Sequence, residues 1–308
     1  MRRIATTAML SVLAVPALLA IPVTTLPSPK AHPVKPSEQL LMLGSFDRPV
    51  AGALADAKAA RGAPTLSVRK EATRGFSAVA VTWAADKGLG PVTVQVRAKQ
   101  GSTWTSWRTA GVDDQSPPAR GEKRLGSDLV WLGQSRGIDV SVTSAGGKTG
   151  KSPRDVAVRL IDPGTSAADA NPGGRKPHSQ ASADPTRPTI YLRDQWGADE
   201  SIMSWPPEYN DTIKAGFLHH TVQATSYTAA QVPAMIRADY QYHAIGRGWG
   251  DIGYNFLVDY FGRIWQGRAG NVALAAVGAH TGGFNTDTFG IAMIGDYSRY
   301  YAPAAVQT

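Results

Sequence analysis

Cysteine is absent from the 308 residues. No disulfide braces the chain and no thiol serves as nucleophile or metal ligand, so a metal held by these residues must rest on His, Asp or Glu. Histidine is itself scarce: there are six, and two of them adjoin in "FLHHTVQAT", residues 217–225. Charge is missing between Ile4 and Pro29, directly after Arg2 and Arg3, which is the layout of a secretory leader. A run of about 20 apolar residues could also span a bilayer, but Pro16 and Pro22 interrupt a continuous helix. A signal peptide over residues 1–31 is therefore expected, although no clean Ala-x-Ala site marks the cut. No stable membrane span is expected once the leader is removed.

What is present divides unevenly. A chain of this length with 43% hydrophobic side chains is long enough for two cores. The net charge of +8 is concentrated at the front: residues 1–188 carry 25 Lys+Arg against 14 Asp+Glu, while residues 189–308 carry 7 against 10. On an exported protein a basic front half suits an anionic cell envelope, as it also suits an ordinary soluble surface. Nucleic acid is not expected, because no motif for it accompanies the charge.

Residues 32–69 show no clear pattern beyond a possible short helix around "GALADAKAARG". From Phe76 the period becomes two. In "FSAVAVTW" Val79, Val81 and Trp83 share a face, and in "PVTVQVRAK" Val92, Val94 and Val96 do so, with turn chemistry between them that predicts a hairpin. "GIDVSVTS" and "RDVAVRLID" repeat the alternation, so residues 70–162 read as a small antiparallel β domain. Trp104 and Trp107 read as core or rim aromatics of that domain, with stacking on a sugar ring as the rival reading. Residues 163–188 contain five prolines and no large apolar side chain and read as a disordered linker, His178 included. Beyond it, apolar strands separated by a helical stretch with Val232, Met235, Ile236, Asp239, Tyr240 and His243 at helical spacing predict a mixed α/β domain over 189–308. "DYFGRIWQG" reads as a hairpin turning at Gly262.

The paired histidines close an apolar strand, and adjacent strand residues point to opposite faces, so only one of them is expected to look into a given site. By spacing alone a satisfied strand histidine and a core tyrosine explain His219 and Tyr254 equally well. Four blocks, "LRDQWGADES", "FLHHTVQAT", "GWGDIGYNFLVDYFGRIWQGRAG" and "GAHTGGFNTDTFGIAMIGDYS", resemble in order and spacing the peptidoglycan recognition proteins and zinc N-acetylmuramoyl-L-alanine amidases of the phage-lysozyme type. The upstream β region is similar to the accessory domain of exported actinobacterial members.

That resemblance implies an α/β mixed-sheet amidase domain behind a small antiparallel β domain, with zinc as cofactor and the muramyl peptide of peptidoglycan as partner. It implies a secreted or cell-wall enzyme that hydrolyses the amide between N-acetylmuramic acid and L-alanine. His219 takes the position of a zinc ligand and Tyr254 that of the catalytic tyrosine. His280 and Asn285 take positions on the rim of the peptide groove, and Trp249 could wall that groove. The resemblance places two further ligands, a histidine and a cysteine or aspartate, beyond Thr308. A chain ending there is expected to bind zinc weakly and to be inactive. The alternative is a recognition protein that holds peptidoglycan without cutting it. A basic wall adhesin would explain the charge but leaves "HHT" and "DIGYNF" without purpose.

Overall fold

The computed structural model describes residues 32–56, 63–86, 88–112, 124–145, 151–172, 188–298 and 301–307. The expected leader, His178 and most of the expected linker lie outside the described residues.

In chain order the front half carries β1 (Ser37–Ser45), β2 (Arg48–Pro49), β3 (Leu54–Asp56), β4 (Thr65–Lys70), β5 (Phe76–Ala84), β6 (Val92–Gln100), β7 (Thr103–Trp104), β8 (Arg108–Ala110), β9 (Arg124–Gly126), β10 (Val130–Ser135), β11 (Gly137–Ser144) and β12 (Val156–Asp162). One sheet runs β10-β5-β12-β1-β2 with β9 beside β5, and the other runs β3-β4-β11-β6-β7 with β8 beside β6. The alternating residues meet between the sheets: Val79, Val81 and Trp83 of β5, Val94 and Val96 of β6, Ile138, Val140 and Val142 of β11, and Val156, Val158 and Leu160 of β12 share one core. Trp104 and Trp107 sit at its rim, with the Arg97 guanidinium 5.2 Å and 4.6 Å from their ring centres.

Three expectations are corrected. β5 and β6 do not form a hairpin but lie in opposite sheets. Period two reports only that one face is buried, and two strands facing each other across a sandwich satisfy it as well as two that pair. The β domain also begins well before residue 70, because β1 pairs with β12 from Ser37 opposite Asp162 to Gly44 opposite Val156. The alternation is blurred in β1 because Leu40 and Met42 remain largely exposed. Of the possible helix at 52–62, Leu54–Asp56 is strand β3, paired with β4, and residues 57–62 lie outside the described ones.

The back half carries β13 (Ile190–Tyr191), β14 (Ala215–His220), α1 (Val232–Gln241), β15 (Phe256–Val258), β16 (Ile264–Gln266) and β17 (Thr288–Met293). Its mixed sheet runs β13-β16-β15-β17-β14. β15 and β16 are the expected hairpin, with Gly262 at φ +79° supplying the left-handed residue of the turn. Before α1, the side chain of Gln231 accepts from the backbone N–H of Thr228 at 2.8 Å, relieving one donor at the helix entrance. At its far end the helix widens into a π-helical turn over Tyr242–Gly246.

The two halves share a second core. β5 is buried on both faces: its valines look into the sandwich, while Ala78 and Ala80 look the other way and meet Val232, Met235, Ile236 and Tyr240 of α1 together with Trp196. Small side chains on the outer face let a helix approach a sheet closely, and Ile161, Leu129 and Trp131 fill in around them. The Tyr242 hydroxyl crosses the seam to donate to the Ser127 carbonyl at 2.6 Å.

At the centre of this seam lies Arg237 of α1, fully buried. A guanidinium has five N–H groups, and each has an acceptor. Nε donates to the Pro163 carbonyl at 2.9 Å, Nη1 to Trp196 O at 2.7 Å and Asp169 Oδ1 at 3.1 Å, and Nη2 to Gly164 O at 3.1 Å and Asp169 Oδ2 at 2.6 Å. Asp169 itself sits on a short 3-10 helix, Ala167–Ala170, capped by Ser166. The first ten residues of the expected linker are therefore part of the fold, corrected from disordered. Proline and small polar residues do not by themselves distinguish a segment pinned through its carbonyls from one that is free.

Removing one partner of a buried ion pair typically costs about 3–5 kcal/mol, since the other charge is left without compensation. Arg237→Ala is expected to lower the unfolding free energy by about that amount in urea titration, and Arg237→Lys to recover little, because an ammonium has only three donors. A loss below about 1 kcal/mol, the net worth of one hydrogen bond, would show that the clamp is dispensable.

Candidate functional site

His219 and His220 end β14, opposite Ala292 and Met293 of β17. The two imidazoles make different bonds, as their alternation predicts. His219 Nε2 lies 3.1 Å from His280 Nδ1 and 3.4 Å from Thr281 Oγ1, whereas His220 Nδ1 accepts from the Tyr297 backbone N–H at 2.9 Å. The strand is less covered than its apolar sequence predicts: among the described residues it is the edge of the sheet, with Leu218 68% exposed.

Five aromatic rings run in succession through the site. From His280 the ring centres step 5.2 Å to His219, 5.7 Å to Tyr254, 5.4 Å to His243 and 5.8 Å to Tyr242. His280 has room because two neighbours are glycines. A Cβ on Gly290 would lie 2.3 Å from its ring, and one on Gly278 2.5 Å from it. Tyr254 is carried by a loop fastened on both sides. The Asn255 side chain accepts from Gly290 N at 2.9 Å and donates to Ala276 O at 2.7 Å. Asp251 receives Ala269 N at 2.7 Å and pairs with buried Arg193 at 3.0 Å.

These residues border a cavity of about 240 Å³, lined by His219, His220, Asp239, His243, Trp249, Tyr254 and His280 from the back half and by Ser127, Asp128 and Leu129 from the β domain. A larger cavity of about 510 Å³ lies against Tyr209, Phe256 and Phe289 and holds none of the histidines. The smaller one is where the chemistry converges. His219, Tyr254, His280 and Trp249 are thus brought together. Asn285 is not: its Oδ1 accepts from the backbone N–H groups of His280 and Thr281 at 2.8 Å and 3.0 Å, which holds the loop that carries His280.

Asp128 and Arg247 bring charge to this cavity, and its histidines do not. Burial lowers the pKa of His219, with the neighbouring His220 adding to the effect, and burial pushes His280 down to about 4 and His243 to about 3. The three imidazoles are neutral at pH 7. His243 accepts at Nδ1 from Gly253 N at 3.2 Å, so its proton is on Nε2. It stacks 4.7 Å from Trp249, a supporting role beside Tyr254 that helical spacing alone does not reveal. Asp239, spaced on the apolar face of the helix, was the visible signal of a buried acid. It receives Gln223 Nε2 at 2.6 Å, while its Oδ2 and Gln223 Oε1 have no hydrogen-bond partner. Burial, reinforced by nearby Asp128, pushes it up to about 8. The proton it then carries supplies the donor this pair lacks.

Neutral imidazole is the form that binds zinc, so the donor chemistry of His219 fits one position of such a site. Among the described residues no group of three or more His, Asp or Glu is placed to hold a metal ion.

Two families match successive parts of the chain. Residues 30–182 match the family described as Rv3811 N-terminal galactose-binding domain-like, and residues 209–308 match N-acetylmuramoyl-L-alanine amidase. Peptidoglycan-recognition protein SC1a of Drosophila melanogaster is 32% identical over 109 residues, 35% of this chain and 56% of that protein. The Homo sapiens N-acetylmuramoyl-L-alanine amidase is 35% identical over 115 residues, 36% of this chain and 19% of that protein. The chain thus spans about half the length of the insect relative and a smaller share of the human one. Among solved structures, the Drosophila peptidoglycan recognition protein SA is similar at 30% identity, covering 39% of this chain and 66% of that one, with a TM-score of 0.35.

The raised pKa of Asp239 makes stability depend on pH. Its folded-state value lies above the ordinary 3.8, so its contribution is fully present below about pH 4 and is lost as pH rises through about 8. Asp239→Asn stays neutral and keeps an amide for Gln223. Its melting temperature relative to wild type, followed by circular dichroism, is expected to be higher at pH 8 than at pH 5. A difference that does not change with pH would mean that Asp239 ionises normally.

Proposed function

For a chain in which a galactose-binding-like β domain precedes an amidase/peptidoglycan-recognition domain, we propose zinc-dependent hydrolysis of the amide between N-acetylmuramic acid and L-alanine in peptidoglycan, by a protein exported to the cell wall. The observation that carries this reading is the convergence of His219, Tyr254 and His280 on one cavity. The leader-like start and the basic front half support export to an anionic envelope. Among the described residues no helix is long and apolar enough to cross a membrane.

In this reading His219 holds zinc through a neutral ring nitrogen, and its remaining ligands come from outside the described residues. When bound, the metal supplies a Lewis acid for the scissile carbonyl and a water with pKa lowered towards about 7. The protein's own groups do the rest. The Tyr254 hydroxyl donates to the oxygen that gains charge as the carbonyl is attacked. His243 packs against the Tyr254 ring and holds the adjoining Gly253 N–H, which fixes where that hydroxyl can go. Neutral His280, wedged over Gly290, offers a hydrogen bond to the stem peptide without an added charge. Trp249 closes the wall beside His243.

The second reading is a recognition protein that binds the muramyl peptide without cutting it. It is favoured by one observation, the lack of a three-ligand metal group among the described residues.

The two readings separate by mutation. His219→Ala is expected to lose stoichiometric zinc while His220→Ala keeps most of it, measured by metal analysis with circular dichroism as the fold control. Equal loss in both would overturn the assignment. Tyr254→Phe is expected to lower kcat and kcat/KM together by about 10²–10³, the usual cost of one oxyanion donor, with KM nearly unchanged and stability moved by no more than about 1 kcal/mol. Turnover near wild type would remove Tyr254 from the chemistry.

A further inference from the structure

The cavity around His219 is not built by one domain. Ser127, Asp128 and Leu129 form one of its walls, and they belong to the turn between β9 and β10. This wall is held firmly. Ser127 exchanges two bonds with Val81 of β5, N–H to carbonyl at 2.8 Å and Val81 N–H to Oγ at 3.1 Å. Its carbonyl takes the Tyr242 hydroxyl, and Leu129 is buried in the shared core. Asp128 is the half-buried member, with its N–H on the Gly111 carbonyl at 2.8 Å. Its carboxylate lies against Gly111, where an added Cβ would come to 2.0 Å from Oδ2.

The ring succession gives the cavity two ends. His280 stands at one end and Tyr242, bonded to the β-domain wall, at the other, with the His219 and Tyr254 pair between them. A scissile amide placed at that pair has a peptide on one side and a sugar-bearing acyl group on the other. If the peptide runs toward His280, the sugar runs toward Asp128. The chemistry at that end agrees: a carboxylate accepts from hydroxyl and N-acetyl N–H groups, and the guanidinium of Arg247, which lines the same cavity over the Trp249 ring, donates to sugar oxygens.

Resting on the reading of the site as one for muramyl peptides, we infer that the β domain supplies the saccharide subsite of this cavity, with Asp128 as its hydrogen-bond acceptor. The front half is then part of the substrate site itself. Because its wall is fixed to β5 and to the π-helical turn before any ligand arrives, little ordering cost remains for binding.

The experiment uses the whole chain and two soluble probes, a muramyl peptide and the same peptide without the sugar, with affinities from titration calorimetry. Asp128→Ala is expected to weaken the muramyl peptide about tenfold, the weight of one hydrogen bond to a charged group, and to leave the sugar-free peptide unchanged. Gly111→Ala keeps the carboxylate but pushes it aside, and the same selective loss is expected, which guards against a folding defect in the first variant. Equal weakening of both probes would assign Asp128 to the peptide, and no weakening of either would remove it from the site; both results overturn the inference. A wild-type chain that binds neither probe overturns the muramyl-peptide reading and this inference with it.

Discussion

Everything in this molecule is referred to the seam where α1 lies on the outer face of β5, and Arg237 is the constraint that makes the seam specific. Apolar contact between Ala78, Ala80 and the helix supplies attraction without direction. Five donors with five fixed acceptors add direction, because sliding or rotating the helix would strand a buried charge. Four of those acceptors, Pro163 O, Gly164 O and the two oxygens of the Asp169 carboxylate, lie just after the last sandwich strand, and the fifth, Trp196 O, lies just inside the second domain. One side chain therefore sets both ends of the connection. The wall at Ser127–Leu129 borders the His219 cavity from the same docked β domain, tied to α1's end by Tyr242.

The same burial governs the electrostatics of the site. Packing the β domain over the end of α1 removes water from His243 and Asp239, and each responds by remaining neutral. A ring of neutral donors and acceptors costs less to desolvate than a set of charges. The His243 lone pair at Nδ1 is already taken by the Gly253 N–H. Asp128 and Arg247, both on the lining, are the charges that the cavity keeps.

How much of this was legible in the sequence depended on whether a residue's neighbours were local. Strand alternation marked β5, β6, β11 and β12, because a half-buried strand repeats every two residues whatever it faces. It could not say that β5 and β6 face rather than pair, nor that Ala78 and Ala80 have a partner of their own, since that partner lies about 150 residues further on. His219, Tyr254, Trp249 and His280 were readable from their blocks and meet at one cavity. Asn285 was readable as a site position, but its carbonyl oxygen is engaged by two backbone amides of its own loop, a local tie that no motif exposes. Asp128 carried no signal at all, because only the docking of the domains gives it a site to face.

The π-helical turn at Tyr242–Gly246 has a consequence of its own. Here neighbours in sequence serve different clients: Tyr242 reaches back to the sandwich at Ser127, and His243 reaches forward to Gly253 and Tyr254. A regular helix advances about 100° per residue, and a wide turn accommodates one residue more than a regular turn would. Deleting a single residue from it would turn everything that follows by about that angle, exchanging the directions of the interface side chain and the site side chain. The length of this segment is thus constrained along with its composition: a one-residue deletion would disconnect the two domains' shared cavity in a single step.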